Sequence, residues 1–106
     1  MDITTTETLP VRRITSVKGV AVGSTVRSKN IGKDIGAGLK SLVGGELKSY
    51  SDMLTEARAE ALSRMEAQAV ELGADALVNL RFMTSSVASG ASEILAYATA
   101  VTTESS

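Results

Sequence analysis

The chain has 106 residues, of which 43% are hydrophobic and 22% are charged, and its formal net charge is −1 at pH 7. This length and composition predict one globular domain, and the balanced charge argues against a nucleic-acid-binding protein, which usually carries a basic excess. The chain has no histidine and no cysteine, which excludes disulfides, Ser-His and Cys-His dyads and most zinc sites.

Aromatic residues are scarce, since only Tyr50, Phe82 and Tyr97 are present. The core must therefore be built from aliphatic side chains and methionine, which bury less area each than aromatic rings do. Such a thin core favours contacts between subunits that bury more surface. The start of the chain has neither basic residues nor an apolar run, so no signal peptide is predicted and we expect a cytoplasmic protein.

Two strands are predicted in the first part of the chain. Residues 3–6 are β-branched and favour a short strand, which Leu9-Pro10 is predicted to end. Residues 11–22 alternate loosely between two faces and predict a longer strand, with Gly19 as a candidate bulge. We expect Gly23-Ser24 to end this second strand.

A first helix is predicted over residues 31–43, because apolar residues recur there every three or four positions. Glycine readily takes the left-handed conformation at a helix end, so Gly44-Gly45 is predicted to stop this helix. The apolar stripe consists of Ile31, Ile35, Leu39 and Leu42.

The glycine-rich stretch "GKDIGAGLKS" invites two functional interpretations. A phosphate loop needs Ser or Thr after Gly-Lys, whereas Asp34 follows Lys33 here, and a dinucleotide loop needs glycine where Ser41 stands. The lysines also resemble the polar face of an interfacial membrane helix. We favour an ordinary amphipathic helix whose glycines permit close packing.

The second helix has the clearest pattern. Ser49 or Ser51 is predicted to cap its start and Gly73 to end it. Glu60 and Arg64 form an i,i+4 pair that we place on its exposed outer or flanking face. Its inner face consists of Tyr50, Leu54, Ala57, Ala61, Met65, Ala69 and Leu72.

The last third of the chain predicts a hairpin. Residues 76–86 and 93–103 alternate as strands, and residues 89–92 read as the turn between them. Both faces of residues 94–101 are apolar or small, which predicts a strand covered on both sides, with a neighbouring subunit as one candidate cover. The predicted fold is α+β, with a largely antiparallel sheet of about four strands packed on two helices in the order β-β-α-α-β-β.

No catalytic or cofactor-binding residue is assigned by the sequence. The functional interpretation of the scattered carboxylates is a paired acid/base site, but their places at helix starts and turns favour capping and solvation. Met53, Met65 and Met83 contain sulfur that a soft metal accepts, yet their helix and strand spacing favours the core. The carboxylates considered are Asp34, Glu46, Asp52, Glu56, Asp75 and Glu93.

The chain resembles the YbjQ-like family, which is also labelled heavy-metal-binding. The resemblance rests on "GVAVGSTV" (19–26), "NIGKDIGAGLKSLVGGELKSYSDMLTEARAEAL" (30–62), "GADALVNLRF" (73–82) and "ILAYATAV" (94–101), which cover most of the chain in the family's order. It implies a single YbjQ-like domain over residues 1–106, an α+β subunit and a ring-like homo-oligomer, typically a pentamer. It implies little chemistry, because the chain lacks the thiolate and imidazole ligands that soft metals prefer.

Three functional hypotheses follow. The first is a non-enzymatic homo-oligomer, with five subunits expected and a small ligand between subunits left open. The second is a metal-binding protein with a carboxylate and carbonyl site, using Asp34 or Asp75 repeated around a ring. The third is an enzyme with a carboxylate or lysine site between subunits, which nothing in the sequence locates.

Overall fold

The computed structural model describes residues 1–28 and 45–106, in which one helix packs on a four-stranded sheet. In chain order the elements are β1 (Asp2–Ile3), β2 (Arg12–Ser28), α1 (Gly45–Glu71), β3 (Ala76–Ala88) and β4 (Ala91–Ser105). The strands lie side by side in the order β1-β3-β4-β2. The β1–β3 pair is parallel, whereas β3–β4 and β2–β4 are antiparallel.

The predicted α+β class is confirmed, but two finer predictions of the fold are not. The described residues contain one helix rather than two, so their order is β-β-α-β-β. The predicted helix over residues 31–43 lies outside them. The sheet is mixed because the two residues of β1 run parallel to β3. A strand of two residues is too short to carry an alternating pattern, so its pairing could not be read from the sequence.

Strand β2 continues through Gly23-Ser24, which the sequence analysis expected to end it. The reason is that Gly23 allows α1 to pack closely on β2 and does not form a turn. A Cβ atom built on Gly23 would lie 2.1 Å from the carbonyl oxygen of Ala61 and 2.3 Å from the backbone nitrogen of Met65. The backbone of α1 therefore lies directly on the backbone of β2 at this point, which a side chain would prevent.

The predicted bulge at Gly19 is confirmed. The pairing of β2 with β4 shifts register between Val17 and Gly19. Gly19 has a φ of +131°, a conformation that residues with a side chain rarely adopt.

Helix α1 begins earlier than the sequence predicts. Gly45 is the first described residue of this helix, and the preceding segment with Gly44, where a first helix is predicted to end, lies outside the described residues. Ser49 and Ser51 lie inside the helix, so the prediction that one of them caps it is wrong. The carbonyl of Ser51 accepts a hydrogen bond of 2.9 Å from the hydroxyl of Thr55, one turn later.

The end of α1 was predicted correctly at Gly73. This residue has a φ of +80°. Its N–H donates to the Val70 carbonyl and the Ala74 N–H donates to the Ala69 carbonyl, both at 3.0 Å. These two bonds form the Schellman motif, in which a left-handed glycine satisfies the last carbonyls of a helix.

One core lies between α1 and the sheet. It consists largely of alanines, which agrees with the prediction of a thin aliphatic core and with the backbone contact at Gly23. Leu54 and Leu72 pack at its margin, and Met65 and Leu77 are its largest fully buried side chains. The buried members are Ala21, Ala57, Ala61, Met65, Ala69, Leu77, Ile94, Ala96, Ala98 and Ala100.

A smaller core lies on the opposite face of the sheet. Leu9, in the segment between β1 and β2, packs there on Ala76, Val78 and Val101, with Ile14 at its margin. Backbone bonds hold this segment against β3, because the N–H groups of residues 79 and 80 donate to carbonyls of residues 6 and 4. The N-terminal segment thus covers one end of the face that α1 does not reach.

We predict that Gly23→Ala destabilises the protein strongly, while Ser24→Ala changes little. The added methyl group of the first variant meets helix backbone, and overpacking of this kind costs about 1–3 kcal/mol or more. The neighbouring Ser24 side chain points away from the helix. Urea denaturation at a fixed protein concentration measures both changes. Equal stability of the two variants would show that α1 does not rest on β2 at Gly23.

Candidate functional site

The face of the sheet opposite α1 carries a row of exposed apolar side chains beyond the reach of Leu9. Val20 is 61% exposed, Val22 40%, Val26 55% and Met83 56%. A single exposed valine is ordinary, but several on one sheet face make that face a candidate interaction surface. We call this surface the open face. Its members are Val20, Val22 and Val26 of β2, Met83 of β3, and Leu95 and Tyr97 of β4.

The strand register places these side chains side by side. Val22 lies opposite Tyr97, and Leu95 lies opposite Met83. Residues that are directly opposed in an antiparallel pair project to the same face, with Cβ atoms about 5 Å apart. The apolar centre of the open face therefore crosses three strands at Val22, Tyr97, Leu95 and Met83, with Ser24 beside Leu95.

A bulge in β3 places the positively charged side chain of Arg81 beside the open face. The pairing of β3 with β4 shifts between Val78 and Arg81, and Asn79 adopts a φ of +57°. Asparagine tolerates this left-handed conformation better than most residues. The shift sets Arg81 opposite Tyr97, while one guanidinium nitrogen of Arg81 donates to the Thr5 carbonyl at 3.2 Å. Arg81 thus lies where the open face meets the N-terminal segment.

The described residues bury one face of residues 94–101, and the predicted cover of the other face, with a neighbouring subunit as one candidate, stays a prediction. Ile94, Ala96 and Ala98 are buried under α1. Leu95 and Tyr97, on the open face, are only half-buried. The apolar character of both faces was read correctly, but within one chain only one of them is fully covered.

Glu60 is not the simple exposed residue that the sequence analysis expected. Its carboxylate pairs with Arg64 on the same helix and also with Arg27 on β2, and its side chain is only 34% exposed. Arg64 in addition donates to the Ser24 carbonyl at 2.6 Å. The spacing rule found the i,i+4 partner, but the partner on β2 depends on how the helix crosses the strand. The network joins α1 to β2 and has no catalytic arrangement.

Asp75 lies in a second polar cluster, at the end of the sheet beside Arg12. Its two carboxylate oxygens accept hydrogen bonds from the Thr103 N–H at 3.2 Å and the Thr103 hydroxyl at 2.9 Å. An Arg12 nitrogen lies 3.7 Å from the carboxylate, and another donates to the Thr103 hydroxyl at 2.6 Å. The cluster ties β2 through Arg12, and the residue that precedes β3, to Thr103 of β4.

The same contacts set the charge state of Asp75. The Thr103 N–H lowers the pKa of the Asp75 carboxyl below its ordinary 3.8, by more than desolvation raises it. The Thr103 hydroxyl and the positive charge of Arg12 lower this pKa further. The carboxylate is thus held ionised and engaged as a structural acceptor.

The structure gives no support to a metal site in residues 1–28 and 45–106, where no group of three His, Cys, Asp or Glu residues could hold an ion. Asp75, one of the two proposed ligands, is already engaged by Thr103 and Arg12. Asp34, the other, lies outside the described residues. Met65, on α1, is buried between the helix and the sheet whereas Met83 is exposed on the opposite face of the sheet, so these two sulfurs do not meet.

Sequence reasoning found only part of the open face. It identified the β4 side chains from the apolar character of both faces, but it ended β2 at residue 22 and so did not include Val26. A signal was present, because Val20, Val22 and Val26 lie at even spacings in one strand. The place of Met83 and Arg81 depends on the bulge at Asn79, which no local pattern announces.

We predict that Asp75→Asn lowers stability near neutral pH but that the loss shrinks in acid. A carboxyl whose folded pKa is lowered adds stability above its unfolded pKa, and this stability disappears as the pH falls through the folded pKa. Urea denaturation of the wild type and the variant at about pH 7 and about pH 3 measures the difference. A difference in unfolding free energy that stays constant between the two pH values would contradict the account of this cluster.

Comparisons with other proteins identify relatives of this chain. A family model described as "Putative heavy-metal-binding" (YbjQ_1) matches residues 1–104. A UPF0145 protein of Archaeoglobus fulgidus is 59% identical over 93% of this chain and 92% of its own, and one of Vibrio campbellii is 56% identical over 95% and 97%. A UPF0145 protein of Methanosarcina acetivorans is 57% identical over 95% of both chains.

One solved structure shows the same fold at low identity. It is the crystal structure of a protein of unknown function of the DUF74 family from Pediococcus pentosaceus, which is 18% identical over 98% of each chain with a TM-score of 0.66. Among the described residues, α1 is not apolar enough to cross a membrane. The match over nearly the whole chain and the identities above 50% confirm the resemblance: the chain belongs to the YbjQ (UPF0145) family.

Proposed function

We propose that this chain is a non-enzymatic subunit of a homo-oligomer and that copies associate through the open face. The observation that carries the proposal is the exposure of four apolar side chains on a part of the sheet face that no described element covers. Covering such a strip removes apolar area from water, at about 25 cal/mol for each Å² buried. The larger core of the described residues is thin and alanine-rich, so this added burial contributes substantially to stability.

The composition of the open face supports a protein partner. Tyrosine, methionine and arginine are enriched at interfaces, and Tyr97, Met83 and Arg81 lie together here. The charged groups lie at the margins, with Arg81 at one end and Glu93 at the other, opposite Val26. An apolar centre with a charged rim is the usual arrangement of a specific interface.

The shape of the chain also supports association. Its Cα radius of gyration is 17.5 Å and its extents are 57 × 23 × 16 Å. A compact domain of this length has a radius of gyration of about 13 Å. A molecule only 16 Å across its thinnest direction buries little of its own surface, and partners supply what a second layer would supply.

The finer parts of the proposal rest on the family resemblance and on the sequence. Five is the number of subunits that the resemblance implies. We propose no catalysis, because the chain contains no histidine or cysteine and its described polar clusters tie strands and helix together. A small ligand between subunits remains compatible with this assembly.

We predict that Val22→Lys disrupts the oligomer and that Val70→Lys does not. Both valines are exposed in the single chain, Val22 at 40% and Val70 at 63%, but Val70 lies on α1, away from the open face. A buried lysine without a partner opposes association. Light scattering coupled to gel filtration measures the mass, with circular dichroism as the test of folding. A wild-type protein that elutes only as an 11.0 kDa monomer would contradict the proposal.

A further inference from the structure

The two edges of the sheet differ in how far the described residues block them. On the outer edge of β2, the Val22 N–H donates to the Gln68 side chain at 2.5 Å, and the Ser24 carbonyl accepts from Arg64 at 2.6 Å. Side chains of α1 thus occupy backbone groups that another strand would need. Natural proteins commonly block edge strands in this manner, because an open edge invites pairing with other chains.

The outer edge of β3 is covered over only part of its length. The N-terminal segment pairs with β3 as far as residue 80, whose N–H donates to the Thr4 carbonyl at 2.9 Å. From residue 82 to residue 88, no described residue forms a backbone bond to this side of the strand. Alternate N–H and C=O groups of this stretch point away from β4.

This uncovered edge has little of the usual protection against pairing, since its register shift lies at its far end, between Ser86 and Ala88. No charged residue and no proline occurs from residue 82 to residue 92, although lysine, proline and inward charges are the common devices on exposed edges. The stretch is also exposed on both of its faces. Phe82, on the side of α1, is 40% exposed, and Met83, on the open face, is 56% exposed.

We propose that residues 82–88 of β3 form a strand-pairing site for the edge of a second copy of this chain. The inference rests on the proposed self-association and adds a backbone contact to the apolar one. A second copy fits because this stretch brings no charge to oppose a charge on the incoming strand, and like charges destabilise a cross-strand pair. It also fits because the edge borders Met83, so a copy packed on the open face lies next to it.

The site makes a residue-level prediction for hydrogen exchange. Amides of residues 82–88 that point to β4 are protected in any folded state. Amides of the alternate residues, which point outward, are protected only when a second strand pairs with them. We expect protection of these outward amides by about ten-fold or more in the concentrated protein, and loss of that protection on dilution to the monomer.

A pair of serine substitutions separates this contact from the open face. Ser86→Lys places a charge on the edge, on the α1 side of the sheet and so away from the open face, because Ser86 lies opposite Ser92. Ser63→Lys makes the same change on the exposed surface of α1. We expect Ser86→Lys to remove the outward protection and to weaken association by about ten-fold or more, and Ser63→Lys to change neither.

Three outcomes would overturn the inference. Outward amides that exchange freely while the oligomer stays intact would exclude strand pairing and leave the proposed function standing. Outward protection that persists in the diluted monomer would show that the chain covers its own edge. An intact oligomer with full protection in the Ser86→Lys variant would exclude an edge contact at this position. A protein that never associates would instead contradict the proposed function itself.

Discussion

The backbone of α1 rests on the backbone of β2 at Gly23, and the rest of the architecture depends on this contact. Only glycine allows it, because a Cβ atom would meet the helix backbone at 2.1 Å. A helix that approaches so closely leaves room for mostly small residues, so Ala57, Ala61 and Ala69 line its inner face beside the single large buried side chain of Met65. Its position is set over β2 and β4, and it reaches β3 least.

Because of this placement, α1 covers one part of the sheet and leaves another part exposed. Over β2 the helix buries the sheet, blocks the strand edge with Gln68 and Arg64, and is fastened by the network around Glu60. The far end of β3 lies outside its cover, and so does the whole opposite face beyond Leu9. The proposed association with further copies would cover these remaining apolar surfaces.

The sequence predicted the features that depend on the local spacing of apolar residues and on the residues that end helices and strands. The inner face of α1 from Leu54 to Leu72, the helix end at Gly73, the bulge at Gly19 and the β3–β4 hairpin are all present. Each is fixed by residues close together in the chain. The family resemblance added the fold class and the expectation of assembly.

The features that were missed depend on contacts between distant residues. Gly23-Ser24 looks the same in sequence whether glycine makes a turn or admits a helix backbone, so β2 was ended too early. Glu60 gained a partner on β2 that only the crossing of helix and strand provides. The pairing of β1 with β3 joins segments more than seventy residues apart. The candidate site was therefore predicted for its β4 part, and its other strands required the fold.

The claim that a second copy covers the open face is tested most directly by the oxidation of methionine. The rate at which each methionine is oxidised by dilute peroxide follows its exposure, and mass spectrometry resolves the sites. In the single chain Met83 is 56% exposed, Met1 42% exposed and Met65 fully buried. The account predicts that Met83 in the native protein reacts nearly as slowly as Met65. Oxidation of Met83 as fast as that of Met1 would contradict it.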